Sequence, residues 1–261
     1  MITISLCSIA FRSEPIESLI PKIAEIGFDA VEVFGDHIEG RGDPELASIR
    51  ELAAEHEVQI LAMSPYLALT RGAAEYAESV ERVKRFLHYG QVLGCRNIRT
   101  FTDVGPRGIN SRSVTPALWE QGIRGLRQIT ALDRTFQFLL ETHPFSLADT
   151  LDSTQRILGE VGAANLKVLY QPSTRAFAQA GMIECWRALK RDVVHLHLQN
   201  VQQGADGWVE EGELDLAGFL QALRAEGYAG SVSVEYCWNN IPWERVKSAY
   251  DFVARHAGAA R

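Results

Sequence analysis

Apolar and polar positions alternate along this chain in two periods, and the switch between them repeats. The N-terminus opens with an alternating strand pattern, Ile2, Ile4 and Leu6. A single unit then recurs: an amphipathic helical stretch, a glycine, and a short apolar strand. It reads IPKIAEIGFDAVEVF, FLHYGQVLGCRNIRTF and FLQALRAEGYAGSVSVEY, with Gly27, Gly94 and Gly227 where a helix ends on a left-handed residue. Less sharply marked copies predict helices over 44–56, around 116–131, and over 150–161 and 182–190. These lead into strands over 59–63, 137–141, 166–171 and 193–198. Eight strands alternating with helices in 261 residues predict an α/β protein, a (β/α)8 barrel of typically ~250 residues. A doubly wound open sheet is the alternative, but its Gly-rich turn after the first strand is missing from LCSIAFRS. No Pro-, Gly- or Ser-rich linker divides the chain, so 1–261 is expected to be one domain.

Three of the predicted strands end on ionisable groups. FLLETHP, VVHLHLQN and SVSVEYCW place Glu141, His197 and Glu235 at or near the C-terminal ends of buried strands. In a barrel those ends and the loops after them form the active face. The same positions elsewhere give Phe11 and Arg12, Glu32, Ser64 to Tyr66, Arg99 to Asp103, His143, Gln171, Asn200 and Trp238. Period-two alternation puts Ser231, Ser233 and Glu235 on one side of the last strand and Val232 and Val234 on the other. By the same rule His195 lies one layer below His197, as a satisfied core or supporting histidine. Two carboxylates and an imidazole at one face suggest a divalent metal with acid/base chemistry beside it.

Composition narrows the partners. The formal net charge is −7 with both signs interspersed, and no basic stripe offers itself to a phosphate backbone, so nucleic acid is not expected. No apolar run approaches the ~20 residues of a membrane span, and the alternating strand at the N-terminus does not read as a charged leader with an apolar core, so a soluble, unprocessed protein is expected. Cys7, Cys95, Cys185 and Cys237 lie far apart without a CxxC pair, which argues against a zinc knuckle or a disulfide framework and for reduced thiols in the cytoplasm.

The motifs LETH, HLHLQN and EEGELDLAGFLQALRAEGYAGSVSVEY resemble the xylose isomerase-like TIM barrels, also described as sugar phosphate isomerases/epimerases. The likeness covers nearly the whole chain and is most specific in its second half. It implies a divalent ion, often manganese, with magnesium, cobalt or zinc as alternatives, held by Glu141, Gln171, His197 and Glu235. At the sixth strand the chain departs from the family: QPST puts Gln171 and Thr174 where Asp and His are common. Asn200 likewise stands where many relatives carry Asp. Both changes remove negative charge, which should weaken metal binding while leaving the ion a stronger Lewis acid.

The resemblance implies a small sugar or polyol substrate, with homo-oligomer formation left open. Substrate contacts are expected from His143, Arg99, Glu32, Trp238 and Asn200; Arg99 has the alternative of neutralising Glu32 or Glu141. Trp208, Trp238 and Phe11 supply either an apolar wall for a ring or plain packing. Glu141 and Glu235 are the expected catalytic pair, one abstracting and one returning a proton beside a carbonyl. That chemistry serves an isomerase or epimerase. The same enolate expelling a β-hydroxyl makes a dehydratase of the inosose or dehydroshikimate type, and a barrel that binds without catalysis is a third reading.

Overall fold

The computed structural model describes residues 1–103, 109–239 and 241–258. In chain order the elements are β1 (Thr3–Cys7), α1 (Ile16–Ile26), β2 (Ala30–Phe34), α2 (Asp43–Glu55), β3 (Gln59–Ser64), α3 (Ala73–Leu93), β4 (Asn97–Thr100), α4 (Pro116–Leu132), β5 (Gln137–Glu141) and α5 (Leu151–Val161). They continue with β6 (Leu166–Tyr170), α6 (Arg175–Ala180), α7 (Met182–Leu189), β7 (Val193–Leu198), β8 (Asn200–Gln202), β9 (Ala205–Gly207), α8 (Leu216–Ala225), β10 (Ser231–Val234) and α9 (Trp243–Ala257). Eight strands close into a barrel in the order β1-β10-β7-β6-β5-β4-β3-β2, and β8 and β9 form a separate antiparallel hairpin. The (β/α)8 architecture expected from the sequence is the one observed. Gly27, Gly94 and Gly227 all have positive φ, and the Gly27 N–H closes α1 onto the carbonyls of Ile23 and Ala24.

The residues group into two compact units. One comprises Met1–Ala62, Val92–Gly94 and His195–Arg261, the other Met63–Gln91 and Cys95–Val194. In the first, β1 is flanked by β10 and β2, and β10 pairs in turn with β7, all parallel. The register aligns Ser5 with Ser233 and Ser233 with His197, and one step lower Ser231 with His195. One face of these strands therefore carries Ser5, Cys7, Glu32, His195, His197, Ser231 and Ser233. The opposite face carries Ile4, Leu6, Val31, Leu196, Leu198, Val232 and Val234, all fully buried. Helix α9 covers β1 and β10 on this side, and α1 covers β2. The apolar face supplies the folding energy, at about 25 cal/mol per Å² buried, and the polar face is left for chemistry.

In the second unit β4, β5 and β6 run parallel, with Arg99 opposite Leu139 and Glu141 opposite Leu169. Arg99, Leu139, Glu141 and Leu169 share a face, while Ile98, Phe138, Leu140 and Val168 share the other. Helix α5 starts where the Thr150 hydroxyl accepts the Ser153 N–H and ends at Gly162, in the left-handed region. Two features depart from the sequence expectation. A short helix, α6, precedes α7, and the β8–β9 hairpin fills the stretch between β7 and α8. No helix among the described residues is long and apolar enough to cross a membrane.

Candidate metal centre

At the ends of β7 and β10 the polar face becomes a connected array. His197 has one ring nitrogen on each of two carboxylates: Nε2 lies 2.7 Å from Glu32 Oε2, and Nδ1 lies 2.9 Å from Glu235 Oε2. Glu32 Oε2 also receives His195 Nε2 at 3.0 Å, while His195 Nδ1 lies 2.6 Å from the Ser231 hydroxyl. Gln199 donates from Nε2 to Glu235 Oε2 at 2.8 Å. His197 and Glu32 are fully enclosed, and His195 and Glu235 nearly so. Burial by itself would raise the Glu32 carboxyl pKa. The charge of His197 and the hydrogen bonds from both histidines outweigh it and hold Glu32 well below the usual carboxylate range.

The donor set fits a divalent ion. Glu32 takes the Nε2 side of His197, so that when an ion replaces the proton on the other nitrogen the neutral ring would present its Nδ1 lone pair to that ion beside Glu235. Ligand atoms of Cys7, His197 and Glu235 lie within 4.8 Å of one another, as do those of Glu32, His195 and His197. The second group is explained by two hydrogen bonds converging on one carboxylate oxygen. The first mixes sulfur, nitrogen and oxygen donors, all buried.

In the other unit Glu141 and Arg99 form a buried pair, Arg99 Nη1 to Glu141 Oε2 at 3.4 Å, each side chain 2% exposed. The Arg99 guanidinium lies 5.1 Å from the Tyr66 ring centroid and 4.7 Å from that of Phe101, and Nη2 donates to the Ser64 carbonyl. His143 packs edge-on to Phe101, and its Nδ1 accepts the Phe145 N–H at 3.3 Å. Gln171 follows β6 directly; its backbone N–H donates to the Thr142 hydroxyl, and the Thr174 hydroxyl donates to the Thr142 carbonyl. A groove of about 710 Å³ in this unit, lined by Arg112, Trp119, Thr150, Ser153 and Arg156, holds none of the candidate ligands.

His197, Glu235, Glu32 and His195 are thus brought into one array, and Arg99 and Glu141 into another. Glu32, expected to meet substrate, lies fully buried with its carboxylate on two histidines. Asn200, also expected at the substrate, is a loop anchor. Its amide donates to the carbonyls of Val209 and Leu214 and its oxygen accepts the N–H groups of Val201 and Leu214. A Cβ at Gly212 would fall on that amide, so the close approach needs glycine. Trp238 is half-buried in a cluster with Trp208 and Tyr236, and Phe11 stacks on Trp243. The sequence reading missed Gln199 and Cys7. The signal for Gln199 was its parity with His195 and His197; Cys7 carried the same signal beside Ser5.

The chain is 28% identical over 204 residues, 76% of its length and 71% of the other's, to a 3-dehydroshikimate dehydratase of Bacillus anthracis. Among solved structures, D-psicose 3-epimerase in the presence of D-fructose superposes with a TM-score of 0.81 at 20% identity, covering 99% of this chain and 100% of that one. The IOLI protein with a bound zinc atom superposes at 0.79 and 16% identity, covering 98% and 99%. A family model matches residues 20–256, and the chain belongs to the family it describes, the xylose isomerase-like TIM barrels.

Proposed function

We propose that the protein is a divalent-metal-dependent enzyme that removes a proton beside a carbonyl in a small hydroxylated substrate, with loss of water as the outcome. The observation that carries the metal-dependent chemistry is the array at β7 and β10, where His197 joins Glu32 and Glu235 through its two nitrogens. The likeness to a dehydratase supports the lyase outcome and moves it ahead of the isomerase outcome preferred on the sequence. His197 and Glu235 would hold the ion. When bound, the ion supplies Lewis-acid polarisation of substrate oxygens.

The remaining work belongs to side chains. Glu235 takes the proton from carbon, and Gln199 keeps that carboxylate aimed through its 2.8 Å hydrogen bond. Given back to the departing β-hydroxyl, the same proton leaves as water. One carboxylate therefore suffices for dehydration, whereas epimerisation needs a second on the opposite face of the carbon. Glu32 keeps His197 in one tautomer.

Isomerisation or epimerisation of a neutral sugar is the second reading, and one observation favours it. Arg99 already has Glu141 as counter-ion, so an acidic substrate has to compete for that guanidinium. Incubation in deuterated water with 3-dehydroshikimate and with a panel of ketoses, in the presence of manganese, zinc or cobalt, separates the readings. A dehydrated product supports the lyase, and deuterated isomers of a ketose support the second reading. No exchange and no product with any compound would remove both.

A further inference from the structure

We propose that Cys7 is a sulfur ligand to the divalent ion of this centre and turns its preference from manganese toward zinc and cobalt. The inference rests on the metal-dependent reading above and adds a ligand that the family resemblance does not supply. It begins with strand register. Leu6 is aligned with Val234, so the next pair across β1 and β10 is Cys7 and Glu235, on the face shared by the Ser5 and Ser233 hydroxyls, which meet at 2.5 Å. On the other side of β1, Cys7 is aligned with Glu32. Ser233 is aligned with His197, which brings the imidazole to the same corner from β7.

The thiol of Cys7, the His197 ring and the Glu235 carboxylate thus come from three adjacent strands, with ligand atoms within 4.8 Å of one another and all three residues buried. Sulfur and nitrogen ligands of a tetrahedral zinc ion lie about 3.5 Å apart, inside that span. A small buried cysteine often serves only as an apolar filler. Here its aligned neighbours on the same face are Glu32 and Glu235, and the apolar side of β1 is occupied by Ile4 and Leu6.

The charges of the bound state balance. With a divalent ion, one thiolate, Glu235 and a neutral His197 sum to zero. Thiolate ligands favour zinc and cobalt(II), while magnesium and manganese favour oxygen.

The test uses the full chain stripped of metal with a chelator and titrated with cobalt(II), zinc or manganese. The cobalt form should show the intense near-ultraviolet sulfur-to-cobalt absorption of a thiolate complex. Cys7→Ser should lose that band yet still bind cobalt, and its zinc affinity should fall by at least the roughly 10–100-fold that supporting residues cost, with manganese affinity little changed. Cys237→Ser should keep the band. Cobalt bound by the wild-type chain without a thiolate band overturns the proposal and leaves the metal-dependent reading standing, even if the serine variant fails to fold. A band that survives in Cys7→Ser also overturns it. Failure to bind any of the three ions overturns both.

Discussion

The Nε2 nitrogen of His197 lies 2.7 Å from the carboxylate of Glu32, both fully buried. A carboxylate in that position fixes which nitrogen carries the proton and leaves the other for a metal. Glu32→Gln removes this preference, because an amide can either donate or accept. Affinity for a divalent ion, measured by calorimetric titration, should fall about 10–100-fold, while the far-ultraviolet circular dichroism stays unchanged. Undiminished affinity in a folded variant would mean that Glu32 does not orient the ligand.

Asn200 uses both halves of its amide on the chain between β8 and α8, donating to two carbonyls and accepting from two N–H groups. An aspartate there keeps the acceptors and sets a charged oxygen against the carbonyls of Val209 and Leu214. Asn200→Asp should lower stability in urea denaturation by about 1–3 kcal/mol. A variant as stable as the parent would show that the loop has another anchor.

Arg99 and Glu141 are buried together, so truncating one strands the other. Arg99→Met should destabilise the fold by about 3–5 kcal/mol. Arg99→Lys keeps the charge but loses the planar group facing Tyr66 and Phe101. It should therefore fall between the two in thermal melting, and a lysine variant no better than methionine would contradict a charge-based role.

His37 links stability to pH. Burial pushes its pKa down; the hydrogen bond to the Ser8 carbonyl and the charges of Asp36 and Glu17 oppose this, while Arg41 adds to it, and the net direction is downward. The unfolded chain then binds the proton at higher pH than the folded one. This contribution is fully present above the ordinary histidine value of about 6.5, declines below it, and is lost as pH falls through the lower value of the folded state. His37→Gln should flatten the decline in stability between about pH 7.5 and 5. Parallel declines in parent and variant would assign the slope to other groups.

Much of this was readable from the chain alone. Strand positions followed from the apolar runs, helix ends from Gly27, Gly94 and Gly227, and the inward side of β10 from the alternation of Ser231, Ser233 and Glu235. Pairing between distant strands was not readable. Glu32 and His197 are 165 positions apart, and only the closing of β2, β1, β10 and β7 brings them together. Cys7 was hidden for the same reason, since its spacing to other cysteines says nothing about its register with Glu235. The β8–β9 hairpin escaped because its short polar strands carry no apolar signal, and with it the loop hydrogen bonds of Asn200.

The most direct test of the central claim is the metal dependence of turnover in the parent and in Glu235→Gln. Protein stripped by a chelator should neither dehydrate 3-dehydroshikimate nor exchange a carbon-bound proton with solvent, and one equivalent of zinc, cobalt or manganese should restore activity. Glu235→Gln should remain folded and turn over about 10²–10⁴-fold more slowly at saturating metal. Full activity in the stripped protein, or a glutamine variant as fast as the parent, would contradict the account.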